Sequence, residues 1–300
     1  MKQAAAIAIF VYKRAGHVRR MLETLLRNPL AARSPISIFC DGPRSDQEAE
    51  VVRAARAVVR ELAPSHARIV EQERNLGLAN SVIAGVSQVV AEYGQAITLE
   101  DDIEMSPVTL DYLNEGLERY RDTERVMHIS SYMYPVRAAL PDAFFYREAT
   151  CSGGWATWAR AWRHFEPDGR KIRQAVLDRD ARWQFNTEGV MDFFGMLENQ
   201  IAGRVDSWAI RWYGSLWMRG GLALHPGRSL VRNIGFDGSG ENSGTSAAWM
   251  VDVRTEPVTR YPTLIEEEPS ALKAMMAFRR RVVWQQRLES AQRALRRWAQ

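Results

Sequence analysis

Three consecutive carboxylates, Glu100, Asp101 and Asp102, directly follow the apolar run AITL at 96–99. Adjacent carboxylates repel one another, and each resists removal from water unless a cation joins it. Carboxylate oxygens are ligands that Mg²⁺ and Mn²⁺ prefer. The triplet therefore predicts a divalent metal site. The alternatives are an arginine partner, or a solvated loop that favours the N-terminus of the next helix.

Three further polar clusters follow apolar runs in the N-terminal third of the chain. Basic residues can contact phosphate oxygens directly, and carboxylates can contact them through a divalent cation that both bind. Basic residues near carboxylates are therefore typical of a phosphate site. These clusters are Lys13-Arg14, Cys40-Asp41-Gly42 and Arg74-Asn75.

The elements that must position these clusters alternate regularly. Apolar runs at 4–11, 36–40, 67–70 and 96–99 predict strands, and the stretches between them have helical spacing of apolar residues. This alternation predicts an α/β fold with a central, mostly parallel, Rossmann-like sheet flanked by helices. Because ligands bind outside the carboxyl ends of parallel strands, all four clusters are expected at one edge of the sheet.

Composition narrows the function classes. The chain is 46% hydrophobic and 25% charged, which is typical of a globular domain, and it contains no run of about 18 apolar residues that would span a membrane. Residues 270–300 carry a formal charge of +7, and the whole chain carries +4, so residues 1–269 carry −3. This negative charge argues against nucleic-acid binding by the body of the protein. Cys40 and Cys151 suggest free thiols in a reducing compartment.

The basic C-terminal segment, 266–300, has the pattern of an amphipathic helix. A basic helix with tryptophans on its apolar face suits an anionic membrane surface, and the alternatives are packing against the body or a short dimer seam. The apolar stripe, with spacings of four and three residues, is Trp284, Leu288, Ala291, Leu295 and Trp298.

In order and spacing these pieces resemble the GT-A-fold glycosyltransferases, in particular bacterial transferases related to the eukaryotic GlcNAc-transferase I group. The likeness extends over about residues 7–235. The segments that carry it are AIFVYKR at 8–14, CDGP at 40–43, RNLGL at 74–78, LEDDIEMSP at 99–107, SGGWATW at 152–158 and DSW at 206–208.

The resemblance implies a site for a nucleotide-diphosphate sugar, with a UDP-sugar favoured. Asp102 is implied to hold Mn²⁺ or Mg²⁺ on the diphosphate, Asp101 to lie near the ribose or the metal, and Asp41 to contact the nucleobase. The remaining donor contacts are implied for Tyr12, Arg14, Arg74 and Asn75. The structural alternatives are surface ion pairs for the two arginines and a simple turn at 75–77.

An inverting transfer needs a carboxylate that deprotonates the acceptor hydroxyl from the face opposite the leaving group. In the resembling group this base lies in an Asp-Asp-Trp segment, where this chain has Asp206-Ser207-Trp208. Strict alignment puts Ser207 at the base position, and we expect Asp206 to take the role; its structural alternative is an N-cap of the helix that follows. Other candidate carboxylates are Asp168, Asp178, Asp192 and Asp237.

Two glycine-containing segments complete the prediction. Gly153-Gly154-Trp155 predicts a turn that lets a ligand approach the backbone closely, with an aromatic face for a sugar or acceptor. The stretch at 235–246 has loop composition and resembles the family's donor-closing loop.

Together these features predict a metal-dependent, inverting hexosyl- or N-acetylhexosaminyl-transferase of bacterial surface-polysaccharide assembly, cytoplasmic and peripheral on the inner membrane. Residues 1–135 are expected to bind the donor, and residues 136–265 to bind a glycan or lipid-linked acceptor and supply the base. A sugar nucleotidyltransferase is one alternative, although it needs a longer Gly-rich loop than the segment at 13–17. A non-catalytic glycan- or membrane-binding protein on a degenerate scaffold is the other, because Ser207 departs from the family pattern.

Overall fold

A computed structural model describes residues 4–151, 153–189, 191–237 and 249–298. The described residues contain ten strands, of which eight form one sheet. In chain order the strands are β1 (Ala6–Val11), β2 (Ile36–Cys40), β3 (Arg68–Glu71), β4 (Gln95–Glu100), β5 (Ile103–Met105), β6 (Val126–Ser130), β7 (Ala143–Tyr146), β8 (Trp155–Trp158), β9 (Leu222–Pro226) and β10 (Val231–Asn233).

Helices connect and flank these strands. Short 3₁₀ turns occur at Pro29–Arg33, Asp46–Glu48 and Gly235–Asp237. The α-helices are α1 (Ala15–Leu26), α2 (Ala49–Leu62), α3 (Leu78–Tyr93), α4 (Thr109–Arg119), α5 (Ala159–Trp162), α6 (Gly169–Asp178), α7 (Arg182–Phe185), α8 (Phe193–Ile201), α9 (Trp208–Met218) and α10 (Pro269–Trp298).

The large sheet has the spatial order β3-β2-β1-β4-β8-β6-β9-β7. Strands β1 to β4 pair in parallel, as do β6 and β9, while β8 runs antiparallel to both β4 and β6, and β7 runs antiparallel to β9. Every residue of β1 is buried, as expected for a parallel strand covered on both faces. The predicted α/β fold, with a mostly parallel central sheet flanked by helices and a C-terminal helix, is confirmed.

The position of β8 is a finding that local patterns did not reveal. The segment Trp155–Trp158 is a buried strand between β4 and β6, so it lies at the centre of the sheet. Its aromatic side chains pack with those of α5 and α9: the rings of Trp155 and Trp208 lie 5.2 Å apart between centroids, and those of Trp162 and Trp212 lie 4.9 Å apart. The tryptophan-rich segment therefore builds much of the core.

Strands from both halves of the chain interleave in this sheet. Strand β8, from the second half, separates β4 from β6, which both belong to the first. A division near residue 135 therefore does not coincide with a break in the sheet. The assignment of donor and acceptor functions to 1–135 and 136–265 remains a prediction.

The first half of α10 packs on the body of the protein. Arg279, on this half, is 1% exposed and forms an ion pair with Glu148, which follows β7. The buried apolar residues of α10 recur every three or four positions, as a docked helix face requires. They are Ala271, Met275, Phe278 and Val282.

The apolar stripe predicted for the tail lies on the second half of α10. Trp284 is 62% exposed and Leu288 is also exposed. The side chains of the other three stripe residues lie outside the described residues. None of the helices described here is both long and apolar enough to cross a bilayer.

Candidate functional site

Asp101 and Asp102 both bind Arg14 at the carboxyl ends of β4 and β1. The two carboxylates are 4% and 6% exposed. The Nη2 nitrogen of Arg14 donates to Asp101 Oδ1 and, over 2.9 Å, to Asp102 Oδ2. One guanidinium nitrogen therefore lies between two buried carboxylates, so the structure contains the arginine partner that the sequence left open as an alternative to a metal.

The backbone of β1 and α1 positions this pair. Arg14 is the N-cap residue of α1, and its carbonyl accepts hydrogen bonds from the amides of His17 and Val18 at 3.0 Å each. The backbone amide of Tyr12, just past β1, donates to the Asp101 carboxylate. Because β1 and β4 are hydrogen-bonded neighbours, the ends of the two strands meet.

Burial and mutual repulsion change the protonation of the acidic triplet. Burial, together with the charges of Asp102 and Asp101, raises the pKa of Glu100 to about 8. Burial also raises the pKa of Asp101, and the adjacent Arg14 opposes that shift. The carboxylates in turn raise the pKa of the Arg14 guanidinium above its usual value, although burial opposes them. Negative charge at this site is therefore costly unless a cation shares it.

A ribbon formed by β5 and β10 encloses Asp102. The Asp102 carbonyl accepts a hydrogen bond of 2.8 Å from the amide of Ile234, directly after β10. A side chain at Gly235 would collide with the Asp102 carboxylate, so only glycine allows the backbone this close. His17 Nε2 lies 3.3 Å from the Ile234 carbonyl, which links α1 to the same segment. The Gly-rich stretch that begins here continues through 238–248, which lies outside the described residues.

Asp41, at the end of β2, holds the loop before α3. Its Oδ1 accepts hydrogen bonds from the amides of Gly42 and Leu76, and its Oδ2 accepts from Asn75 Nδ2 and from the Gly77 amide, over 2.8–3.1 Å. A carboxylate has about four lone-pair sites, and these four bonds fill them. In this arrangement Asp41 and Asn75 are committed to the turn at 75–77, and Asp41 has no acceptor capacity left for a nucleobase.

Glu48 contacts several polar residues beside this loop. The sequence does not indicate a functional role for Glu48 beyond its place in the first turns after β2. Its carboxylate accepts hydrogen bonds from Tyr12 Oη and from Lys13 Nζ, the latter over 2.7 Å. The hydrogen bonds from Lys13 and then Tyr12 lower the pKa of Glu48 to about 2. The Arg44 guanidinium lies 5.6 Å from the Tyr12 ring centroid. Tyr12 and its neighbours thus form an ordered polar face next to the loop that Asp41 holds.

Asp206 lies across the same loop. Its Oδ2 accepts a hydrogen bond of 3.2 Å from the amide of Ala79, in the first turn of α3. Ser207, not Asp206, caps α9, with its Oγ accepting from the amide of Ile210 at 3.3 Å. The structural alternative for Asp206, an N-cap of α9, is therefore wrong: its carboxylate contacts the first turn of α3 and lies beside the turn at 75–77.

The remaining predicted site residues are distributed differently. Arg74 is exposed after β3. Trp155 is 1% exposed and stacks on His128 and Trp208 at 5.2 Å between centroids in each case. Gly153 and Gly154 are also buried, and Gly154 has a φ of +76° that favours glycine. The expected aromatic platform for a sugar is not exposed in this arrangement, because the aromatic strand β8 lies inside the sheet.

Comparisons with known proteins give limited similarity. The sequence matches no model of a known protein family, and no curated protein sequence matches it. Among solved structures, a mannosyltransferase from Pyrobaculum calidifontis, PcManGT, in complex with GDP-Man and Mn²⁺, has 12% identity and a TM-score of 0.40, covering 73% of this chain and 70% of that one.

Two further solved structures are partly similar. S. aureus TarS has 14% identity and a TM-score of 0.29, over 42% of this chain and 21% of its own. A cytidylyltransferase from Leptospira borgpetersenii has 8% identity and a TM-score of 0.33, over 55% of this chain and 64% of its own. Each likeness covers part of the chain at low sequence identity.

Proposed function

We propose that the protein is a glycosyltransferase that binds a nucleotide-diphosphate sugar at the carboxyl edge of β1, β2 and β4. The observation that supports this most is the convergence of Asp101 and Asp102 on one nitrogen of Arg14. Two buried carboxylates and a cation lie at the edge where open α/β sheets bind ligands. The ordered loop held by Asp41 adjoins this position along the same edge.

The carboxylate pair fits a divalent cation. Asp101 and Asp102 each direct one carboxylate oxygen to Arg14 Nη2, and the same two carboxylates would hold a divalent cation in exchange for this contact. In the described part of the chain, no group of three or more histidine, cysteine, aspartate or glutamate side chains is arranged to hold a metal. Mg²⁺ and similar ions commonly take only one or two carboxylates and complete their shell with phosphate oxygens and water. When bound, Mn²⁺ or Mg²⁺ would neutralise the charge of the departing diphosphate.

Arg14 has a defined part in this proposal. It neutralises Asp101 and Asp102 when no metal is bound, and its Nη1, buried without a hydrogen-bond partner, is a donor available to a phosphate oxygen. Tyr12 and the exposed Arg74 are proposed to contact the donor directly. Asp41 and Asn75 are proposed to act indirectly by shaping the turn at 75–77, since their polar atoms already bond within the protein.

For the chemical step we propose inversion, with Asp206 as the base that removes the proton of the acceptor hydroxyl. Its carboxylate is exposed and anchored through Oδ2 to the start of α3, which fixes its orientation beside the donor loop. The acceptor is proposed to be a glycan or a lipid-linked sugar of a bacterial surface polysaccharide. Membrane contact is proposed for α10 at the exposed Trp284 and Leu288, because the part of the helix up to Val282 packs on the body.

The sugar nucleotidyltransferase alternative is less well supported by the geometry. Only three residues separate the end of β1 at Val11 from the start of α1 at Ala15. A Gly-rich loop that wraps a nucleoside triphosphate does not fit in that length. The degenerate-scaffold alternative is tested by donor binding.

The test is calorimetric titration of UDP-, GDP- and dTDP-sugars, with and without Mn²⁺. We expect one nucleotide to bind only with Mn²⁺, and Asp102→Asn to weaken that binding by roughly thirtyfold or more, equivalent to about 2 kcal/mol. Asp102→Asn should stay folded because Arg14 keeps Asp101 as a partner. The matched control, Asp46→Asn, removes an exposed carboxylate after β2 and should change nothing.

Two outcomes contradict the proposal. Donor binding that is equal in Asp102→Asn and wild type excludes the carboxylate pair from the site. An absence of binding for every nucleotide, with and without metal, favours a degenerate scaffold.

A further inference from the structure

A cavity of about 580 Å³ lies at the edge of the sheet opposite the candidate donor site. It is bounded by the loop before β6, the end of α5 and the end of α9. Strands β6 and β9 begin at this edge, and the antiparallel β8 ends there. Because Arg14 and Asp102 lie at the carboxyl ends of the parallel strands, the two sites are separated by the length of the sheet.

The lining of this cavity is strongly basic. One acidic residue, Glu124, lies in the lining, and the charge of Asp122 acts on Arg160 from nearby. Four guanidinium groups against two carboxylates leave a formal excess of positive charge. The basic lining residues are Arg125, Arg160, Arg163 and Arg219, with His164 beside them.

Across the described ranges, none of these four arginines forms an ion pair with a carboxylate. Arginines elsewhere on the surface commonly do, as in Arg119 with Glu115 at 2.6 Å and Arg173 with Glu198 at 2.5 Å. Four like charges that only two carboxylates offset repel one another, and the repulsion is strongest where water is partly excluded. An anion in the cavity would relieve it.

Two of the guanidinium groups are held in place by backbone carbonyls. Arg160 stacks over the Trp158 ring at 4.2 Å and donates to the carbonyls of Tyr120 and Arg121. Arg125 donates to the carbonyls of Gly220 and Ile265. These two guanidinium groups are fixed in the lining, whereas Arg163 and Arg219 are exposed residues of the same lining.

Helix ends alone do not account for the cluster. Arg163 and Arg219 are the C-cap residues of α5 and α9, where a cation is favourable. That explains one basic residue at each helix end, but not the convergence of both on the cavity that Arg125 and Arg160 already line.

His164 adds no charge of its own at neutral pH. Burial, then the nearby charges of Arg219 and Arg163, lower its pKa. Its Nε2 accepts a hydrogen bond from Arg163 Nε over 3.3 Å, which requires the neutral imidazole. The positive charge of the cavity is therefore carried by guanidinium groups, whose planar forks match phosphate and carboxylate oxygens.

We propose that this cavity binds a phosphate-bearing anion. The guanidinium groups call for a compact ligand with two or more negative charges, and a phosphate group carries up to two. The volume lies within the range of small-ligand pockets. This site is independent of the proposed glycosyltransferase function, and its phosphate can come from a soluble diphosphate or from a lipid headgroup.

The first test uses inorganic diphosphate in calorimetry, with a chelator present and at about 0.15 M salt, where diffuse surface attraction is largely screened. We expect saturable binding to the wild type, weakened about tenfold or more in Arg163→Gln/Arg219→Gln, because two charge-assisted contacts are lost. Arg160 and Arg125 are left intact because they hold backbone. The matched control is Arg27→Gln/Arg53→Gln, which removes two exposed arginines of the α1–α2 region.

Arg14→Gln reports on the donor site in the same assay. The proposal is overturned if diphosphate does not saturate the wild type, if the control double variant weakens binding as much as the cavity variant, or if only Arg14→Gln weakens it. Failure of donor binding in the glycosyltransferase test leaves these results unaffected.

Vesicles distinguish the two sources of phosphate. Co-sedimentation with phosphatidylglycerol but not phosphatidylcholine vesicles, competed by diphosphate and lost in Arg163→Gln/Arg219→Gln, assigns the cavity to a lipid headgroup. Diphosphate binding without co-sedimentation assigns it to a soluble ligand.

Discussion

At the scale of single residues, Asp206 combines a structural contact with a proposed chemical role. Its Oδ2 caps α3 by accepting from the Ala79 amide. Asparagine caps a helix about as well as aspartate but is not a base. We expect Asp206→Asn to keep wild-type stability and donor binding and to lose transfer by about 10²–10⁴-fold, whereas Asp206→Ala should also lose about 1 kcal/mol of unfolding free energy. Transfer assays and thermal unfolding measure both.

Ser207→Ala is the control for this pair. It removes the Oγ that caps α9, so we expect a loss of about 1 kcal/mol in stability with transfer retained. Full turnover in Asp206→Asn would reject Asp206 as the base. Loss of transfer in Ser207→Ala but not in Asp206→Asn would favour Ser207, which strict alignment puts at the base position, as the residue that transfer requires.

At the scale of elements, the docking of α10 depends on a buried ion pair. Arg279 donates to Glu148 and, over 2.9 Å, to Tyr134 Oη, and Tyr134 Oη donates to Glu148 over 2.7 Å. Removing one partner of a buried pair leaves an uncompensated charge. We expect Arg279→Met to lower the free energy of unfolding by about 3–5 kcal/mol, measured by urea denaturation.

Two variants check the cause of this loss. Arg280→Met changes the neighbouring, exposed arginine and should cost little. Combining Arg279→Met with Glu148→Gln removes both charges and should recover much of the stability. Equal losses in Arg279→Met and Arg280→Met would show that the pair does not anchor the helix.

At the scale of the whole molecule, we expect two buried histidines to make the fold sensitive to acid. His128 accepts a hydrogen bond from Trp212 Nε1 at Nδ1, over 3.2 Å, and its Nε2 lies 3.3 Å from the Thr150 carbonyl, so the ring is neutral. Burial, and then the nearby His225, lower the pKa of His128 to about 3, and burial lowers that of His225 as well.

The sign of the pH effect follows from these shifts. Between about pH 6.5 and pH 3 the unfolded chain binds a proton at His128 that the folded protein does not, so stability falls as the pH falls through that window. We expect the free energy of unfolding to be about 2 kcal/mol lower at pH 5 than at pH 7.5 from His128 alone.

Denaturation of His128→Gln across this pH range should show a shallower loss than the wild type. His66→Gln, in the exposed segment before β3, is the matched control. An unchanged slope in His128→Gln would show that this histidine does not govern acid stability.

The sequence alone was sufficient for β1 to β4, α1 to α3 and the placement of their polar clusters at strand ends. Each of these strands is a contiguous apolar run, and each helix has a regular apolar period, so neighbouring residues carry the signal. The ends of parallel strands must then meet at one edge. The sequence by itself therefore predicts Arg14, Asp41, Asp101 and Asp102 as a candidate site.

Tertiary structure decided what those residues contact. Arg14 and Asp101 are 87 residues apart, Asp206 and Ala79 are 127 apart, and Arg279 and Glu148 are 131 apart. No local spacing encodes such pairs, because they form only when distant elements pack. For the same reason the sequence predicts Trp155 at a ligand whereas it lies in the core: its strand β8 pairs with β4 and β6, which lie elsewhere in the chain, and no local spacing encodes that pairing.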